Sequence, residues 1–135
     1  ARIQKAIIEM NQIVKAITIA QGESEDYLMI ITESSCSDCV GGRIVGFNYR
    51  NVPETNAFYT RWALFILNIE NATNGLMIGV SKITRDPWGS PYDLDENEGE
   101  RGGCSFDNLR SYGPDGLYGT FDDIMSGQIP KIKCP

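Results

Sequence analysis

The most concentrated chemistry in the chain lies in residues 111–124, which read SYGPDGLYGTFDDI. Three aspartates, Asp115, Asp122 and Asp123, share this stretch with three glycines and a proline, and no Lys or Arg accompanies them. Calcium prefers about six to eight oxygen ligands, usually carboxylates and backbone carbonyls. Glycines allow carbonyls to turn inward without a clash from Cβ. The stretch therefore predicts a calcium loop, and the alternative is a set of solvated turn aspartates that hydrogen-bond their own backbone.

A second acidic stretch, DLDENEGERGGC at residues 93–104, fails the same test. Asp93 and Asp95 fit the alternating ligand positions of the helix-loop-helix calcium sites. The glycine comes one residue late, at Gly99, and Cys104 stands where a bidentate glutamate is required. We therefore predict an exposed loop here, with its glutamates supplying solubilising charge.

Four cysteines and the absence of histidine favour disulfides over a zinc site. Three pairings are possible, and we favour Cys36 with Cys39 and Cys104 with Cys134. The second bridge would tie the C-terminal tail back across the acidic loop, a region with little core of its own. An even number of cysteines in a small acidic chain indicates an oxidising, extracytoplasmic setting.

Composition argues against catalysis and against nucleic acid. With no histidine, the commonest general base and the triads built on it are missing. The Cys36-Ser-Asp-Cys39 motif leads into Val-Gly-Gly instead of a helix that would activate a redox thiol. The net charge of −6, with no basic cluster, does not fit a phosphate-binding surface. We therefore predict that the protein is not an enzyme and does not bind nucleic acid.

Two helices are predicted from apolar periodicity. In residues 1–21 the apolar side chains recur every three or four positions, which indicates a long amphipathic helix ending near Gly22. In residues 55–74 a Thr55 or Asn56 cap precedes a second amphipathic helix. The stripe expected to dock the first helix on a sheet comprises Ile3, Ile7, Met10, Val14 and Ile17. The buried face expected for the second helix comprises Phe58, Trp62, Phe65 or Ile66, and Ile69.

The remaining segments are shorter and are typical of a small sheet. The apolar run at residues 27–31 fits either a strand or a short helix, and LMIGVSKI at residues 76–83 has the composition of a strand. Two further strand candidates lie at residues 92–94 and 108–112. The DPWGSPY turn at residues 86–92 carries two large aromatic residues that we expect to anchor it to the core. Helices first and an antiparallel sheet last predict the α+β class, in one domain spanning residues 1–135.

DPWGSPY, DENEGE and SYGPDGLYGTFDDI occur in that order along the chain. Together they resemble the C-terminal half of type IV pilin-like proteins, the type IV pilins and the calcium-binding major pseudopilins of type II secretion. The resemblance implies a pilin fold, in which a truncated N-terminal helix packs on a small antiparallel sheet and residues 76–135 form the sheet and the calcium loop. It also implies calcium ligands from the side chains of Asp115, Asp122 and Asp123 and from the backbone carbonyls of Tyr112 and Thr120.

The same resemblance implies a structural function. The partners would be identical or related subunits in a helical filament and an inner-membrane assembly machinery, reached through a hydrophobic segment ahead of Ala1. The protein would then lie in a cell-surface pilus or a periplasmic pseudopilus. Residues 36–83 hold a second helix and a Cys-x-x-Cys turn where secretion pseudopilins usually have a shorter segment. The pilus and the pseudopilus therefore both remain alternatives. The alternative is a secreted, calcium-stabilised binding or adhesion module that does not polymerise.

Overall fold

A computed structural model describes residues 1–33, 44–95 and 107–131. Helices come first and a three-stranded antiparallel sheet comes last, so the predicted α+β class is confirmed. All four cysteines, and with them both favoured disulfides, lie outside the described residues, as do the glutamates of the second acidic stretch. In the described ranges no helix combines the length and apolar character needed to cross a bilayer. The elements are α1 (Arg2–Ser24), α2 (Leu28–Thr32), α3 (Ala57–Ala72), a 3₁₀ helix (Val80–Lys82), β1 (Asp93–Asp95), β2 (Asp107–Ser111) and β3 (Ile124–Ile129).

Helix α1 forms as predicted but packs along only part of its length. It contacts α3 and β3, and its buried side chains are Ala6, Met10, Ile13, Ala16, Ile17, Ala20 and Gln21. The expectation that Ile3 and Ile7 dock on the sheet is wrong, because they are 54% and 41% exposed. Periodicity identifies the apolar face of a helix but not where the core beneath it stops. The helix ends at Ser24 instead of Gly22, and the next residue adopts a left-handed conformation.

Helix α3 matches its prediction closely because its signals are local. The Asn56 side chain accepts hydrogen bonds from the amides of Phe58 (3.0 Å) and Tyr59 (3.1 Å), as an N-cap should. The helix ends two residues before Asn74 and Gly75, which both have positive φ. Its buried face contains Phe58, Tyr59, Trp62, Phe65, Ile66 and Ile69.

Two short apolar segments adopt helical and not strand geometry. The segment at residues 27–31, which was ambiguous, lies largely within α2. The segment at residues 76–83 was predicted as a strand, and this is wrong, because it forms a turn and the 3₁₀ helix. The Glu70 carboxylate accepts hydrogen bonds from the amides of Gly79 (2.8 Å) and Ser81 (2.9 Å). These amides are therefore bonded to a side chain from α3 instead of to a neighbouring strand.

The sheet has the order β1-β2-β3, and it places one apolar cross-strand pair in the core. Leu94 pairs with Leu109 across β1 and β2, and both are buried in the main core with Ile129 of β3. The strand candidates at residues 92–94 and 108–112 are thus confirmed within one residue. Asp93 is not in an exposed loop as predicted, because it lies buried in β1 and accepts a 2.8 Å hydrogen bond from the Tyr112 hydroxyl.

A buried carboxylate joins the DPWGSPY turn to the end of β2. Asp86 accepts hydrogen bonds from the amides of Trp88 and Ser90, both at 3.0 Å. Its other oxygen accepts a 2.7 Å bond from the Ser111 hydroxyl. Trp88 and Tyr92 are buried, so the prediction that they anchor this turn is confirmed. The acidic loop consequently starts from a fixed point.

Asp86 should make stability depend on pH in a defined direction. Burial raises the pKa of Asp86 above its ordinary value of 3.8, and the hydrogen bonds from Ser111, Ser90, Trp88 and Gly89 oppose this only in part. The folded state therefore retains the proton to a higher pH than the unfolded state does. The contribution of this group to the free energy of unfolding is greatest below its ordinary pKa and falls as the pH rises through the raised value.

The matched variant is Asp86→Asn, which keeps the shape and the acceptor oxygen but cannot ionise. We expect the parent to lose stability relative to this variant as the pH rises from about 3.5 to 7, since only the parent must bury a charge there. Urea unfolding at several pH values measures both proteins. Other titrating groups are common to the two and cancel, so a difference that stays constant with pH would contradict the expectation.

Candidate metal centre

The acidic loop is the connection between two antiparallel neighbours. It occupies residues 112–123 between β2 and β3, and the pair Ser111 and Ile124 closes its base. An antiparallel pair brings the two ends of its connection together. Asp115 therefore lies near Asp122 and Asp123, although these follow it by seven and eight residues in the sequence.

The three aspartates predicted as ligands are brought together. A carboxylate oxygen from each of Asp115, Asp122 and Asp123 lies within 4.8 Å of the other two, and all three residues are partly buried. The Thr120 hydroxyl lies between two of them, 2.5 Å from Asp122 Oδ1 and 3.1 Å from Asp123 Oδ1, and its single proton is shared between these acceptors. Convergent carboxylates on a partly buried loop are the donor set of a hard cation, so the residues present fit calcium.

Backbone amides also satisfy these carboxylates, as the alternative interpretation of the sequence expected. Asp115 Oδ1 accepts from the Leu117 amide at 2.9 Å, and Asp123 Oδ2 accepts from the Gly119 amide at 2.8 Å. These bonds hold the side chains in place within the loop. They leave the carboxylates close together, so repulsion between them persists without a cation.

The two residues predicted to contribute carbonyls have different surroundings. The Tyr112 side chain is buried among Tyr49 and Phe58, and its hydroxyl is committed to Asp93, so any role of Tyr112 at the metal would fall to its backbone. The Thr120 carbonyl accepts a 3.2 Å hydrogen bond from the Asp123 amide. The part of Thr120 that the structure brings to the carboxylates is its hydroxyl, which was not predicted.

Electrostatics at Asp123 combine burial with one cationic neighbour. Burial raises the pKa of Asp123, while bonds from the Gly119 amide and the Thr120 hydroxyl and the charge of Arg110 oppose that rise. Arg110 Nη1 lies 3.2 Å from Asp123 Oδ2, and its guanidinium lies 4.6 Å from the centre of the Tyr118 ring. Arg110 was not singled out from the sequence, although its position just before the loop was a usable signal.

A second contributor missed from the sequence is the segment at residues 48–51, here named the strap. The Tyr49 amide donates to the Gly116 carbonyl and the Asn51 amide to the Gly89 carbonyl, both at 3.0 Å. Arg50 adds a side-chain bond to the Pro114 carbonyl at 2.8 Å. The strap thus connects the acidic loop to the DPWGSPY turn. No sequence pattern indicates it, because the partners lie about forty to seventy residues away along the chain.

Gly113 lets the two arms of the loop approach each other. Its φ of 71° is left-handed, and a Cβ there would collide with the Asp122 carbonyl oxygen. Gly119 has a similar φ of 79°, but no atom lies within 4 Å of where its Cβ would be. An alanine at Gly119 would therefore meet backbone strain alone, whereas an alanine at Gly113 would meet the same strain and a steric clash.

We expect Gly119→Ala to lower the free energy of unfolding by about 1 kcal/mol, from left-handed strain alone. Gly113→Ala should cost about 2 to 4 kcal/mol, since the Asp122 backbone must also move. Urea denaturation measures both variants under the same conditions. Equal losses at the two glycines would contradict the close approach described here.

Comparison of the chain with protein-family models, with curated proteins and with solved structures finds no match. The family resemblance therefore rests on the quoted sequence segments, and the chemistry of the site rests on the geometry of the three carboxylates. Function has to be inferred from these two together.

Proposed function

We propose that this chain is a structural subunit of a type IV pilus or of a type II secretion pseudopilus, with a bound calcium ion stabilising its β2–β3 loop. The observation that carries the proposal is the convergence of the Asp115, Asp122 and Asp123 carboxylates. These are the residues to which the resemblance assigns calcium. The Asp86 to Ser111 hydrogen bond supports it further, because it makes the turn and the loop one physical unit.

Polymerisation is supported by the exposed part of α1. Ile3, Ile7 and Ile8 are all more than two-fifths exposed within its first two turns, while the following turns pack on α3 and the sheet. Apolar side chains exposed together on one helix end are typical of a surface that is covered in an assembly. In the proposed filament, these turns continue a hydrophobic segment that anchors the subunit at the inner membrane before assembly and packs against identical or related subunits afterwards.

Calcium has a mechanical role in this proposal. Repulsion among three nearby carboxylates loosens the loop, and a divalent cation removes that repulsion while adding bonds to their oxygens. Tyr118 of the loop packs against the aromatic cluster that contains Tyr49, Phe58 and Tyr112, so ordering the loop also holds Tyr118 against that cluster. A subunit contact built on this surface would weaken when calcium is removed.

One observation favours the second candidate, a secreted binding or adhesion module. Phe121 is fully exposed in the acidic loop, directly before Asp122. A large exposed aromatic side chain beside a cation site is a suitable contact for a partner protein. The two candidates share the calcium site and differ in whether the protein polymerises.

Calcium should raise the stability of the parent protein and not that of a ligand variant. At about 100 times its dissociation constant, an ion that binds only the folded state adds about 2.7 kcal/mol to the free energy of unfolding. Melting temperatures measured in calcium and in chelator should therefore differ for the parent and coincide for Asp115→Ala. The control is Asp26→Asn, outside the loop, which should respond as the parent does. An unchanged melting temperature in the parent would overturn the calcium assignment.

Assembly should depend on the exposed turns of α1 while folding does not. We expect Ile7→Ser to lower the free energy of unfolding by no more than Leu67→Ser does, because the two side chains are exposed to a similar extent. When the full gene is expressed in its own host, Ile7→Ser should abolish recovery of the subunit in sheared surface filaments or pseudopili. Leu67→Ser is the matched control, since Leu67 is similarly exposed, at 45% against 41%. Normal assembly of the Ile7 variant, or an absence of filaments with the parent, would favour the binding module.

A further inference from the structure

We propose that Arg110 is a built-in competitor for the calcium ion at the acidic loop, and that its release from Asp123 sets the affinity of the site. This inference rests on the proposed calcium function and adds its regulation. The competitor is a cation of the chain itself, located on β2 one residue before the loop-closing pair of Ser111 and Ile124.

The competition concerns one identified oxygen. Asp123 Oδ2 receives both the Arg110 guanidinium at 3.2 Å and the Gly119 amide at 2.8 Å. Asp123 Oδ1 receives the Thr120 hydroxyl. Oδ2 therefore already has two donors, and a metal that binds this oxygen must displace or share at least one of them. Arg110 is the donor whose positive charge also repels the metal.

The pair is sufficiently enclosed for this repulsion to matter. The Asp123 side chain is 7% exposed and the Arg110 side chain 23% exposed, so water screens them less than it would a surface pair. A guanidinium remains charged throughout the accessible pH range, so the competitor cannot be removed by deprotonation. Arg110 therefore offsets part of the negative charge that the three aspartates bring to the loop.

A released guanidinium would have a polar place to occupy. A cleft of about 80 Å³ adjoins Arg110 on the sheet, and Asp95 and Asn108 are among the residues that line it. Tyr118 lines the same cleft and holds the guanidinium over its ring. Arg110 can therefore leave Asp123 by a side-chain rotation without entering an apolar environment, because the walls of this cleft are mostly polar.

The test is calcium titration by calorimetry of the parent, Arg110→Gln and Arg50→Gln. Arg50 is the matched control: its guanidinium also contacts the loop, but through the Pro114 carbonyl and not through a carboxylate. We expect Arg110→Gln to bind calcium at least about fivefold more tightly than the parent, since a close opposing charge has been removed. Arg50→Gln should bind calcium no more tightly than the parent, since it loses a bond that supports the loop and not a charge that lies against a ligand carboxylate.

The outcomes separate this inference from the proposed function. If the parent binds calcium and Arg110→Gln binds it equally or more weakly, the competitor role is wrong and the calcium site stands. An equal gain in Arg110→Gln and Arg50→Gln would also overturn it, because the effect would then be general charge removal. If neither the parent nor any variant binds calcium, the proposed function fails and the inference fails with it.

A second measurement uses the parent alone, in case a variant does not fold. The Arg110 Nε–Hε resonance in a ¹⁵N-labelled sample should shift on calcium addition, since the guanidinium leaves Asp123, while that of Arg50 should stay in place. A stationary Arg110 resonance in a sample whose loop amides respond to calcium would contradict the proposal.

Discussion

The placement of the acidic loop depends on one buried carboxylate. Asp86 is almost inaccessible to water, and a buried charged or polar group is costly unless it is hydrogen-bonded. Its partners are two amides of its own turn and the Ser111 hydroxyl, so the requirement can be met only when the turn and the end of β2 lie together. The energetic need of a single side chain thus fixes the relative position of two segments that are distant in sequence.

The second constraint comes from the concentration of acid beyond that point. Three carboxylates brought to within 4.8 Å of one another need compensation, and the chain supplies it in several forms. Backbone amides of the loop donate to them, the Thr120 hydroxyl bridges two of them, and Arg110 brings a full positive charge. A bound divalent cation would carry more positive charge than any of these internal donors and would contact more of the carboxylate oxygens at once. The chain therefore compensates these carboxylates from within, and under the proposed function a bound ion would add to that compensation.

What could be predicted from the sequence follows the range of the interactions involved. Helix α3 was predicted well because its cap and apolar period are local, and the three aspartates were predicted to converge because two arms of one loop carry them. Ile3 and Ile7 were misassigned because periodicity carries no information about where the core ends. The segment after α3 was mispredicted because Glu70 takes its amides in a tertiary contact. The contacts of Arg50 with the Trp88 and Pro114 carbonyls join segments that are distant in sequence, and no local sequence pattern predicts such contacts.

The strap at residues 48–51 contacts the loop and the DPWGSPY turn through two backbone bonds as well as through the Arg50 side chain, and the backbone bonds have an evolutionary consequence. Hydrogen bonds from the Tyr49 and Asn51 amides to the Gly116 and Gly89 carbonyls do not depend on which side chains the donors carry. A Cβ at Gly89 or Gly116, in contrast, would lie 3.2 Å from a backbone nitrogen of the strap whichever side chains the strap carries, and both glycines have positive φ. Selection that preserves this arrangement would act on the glycines that receive the bonds, while the donating segment drifts. Divergent chains could thus keep the loop in place with little recognisable sequence left in the segment that holds it.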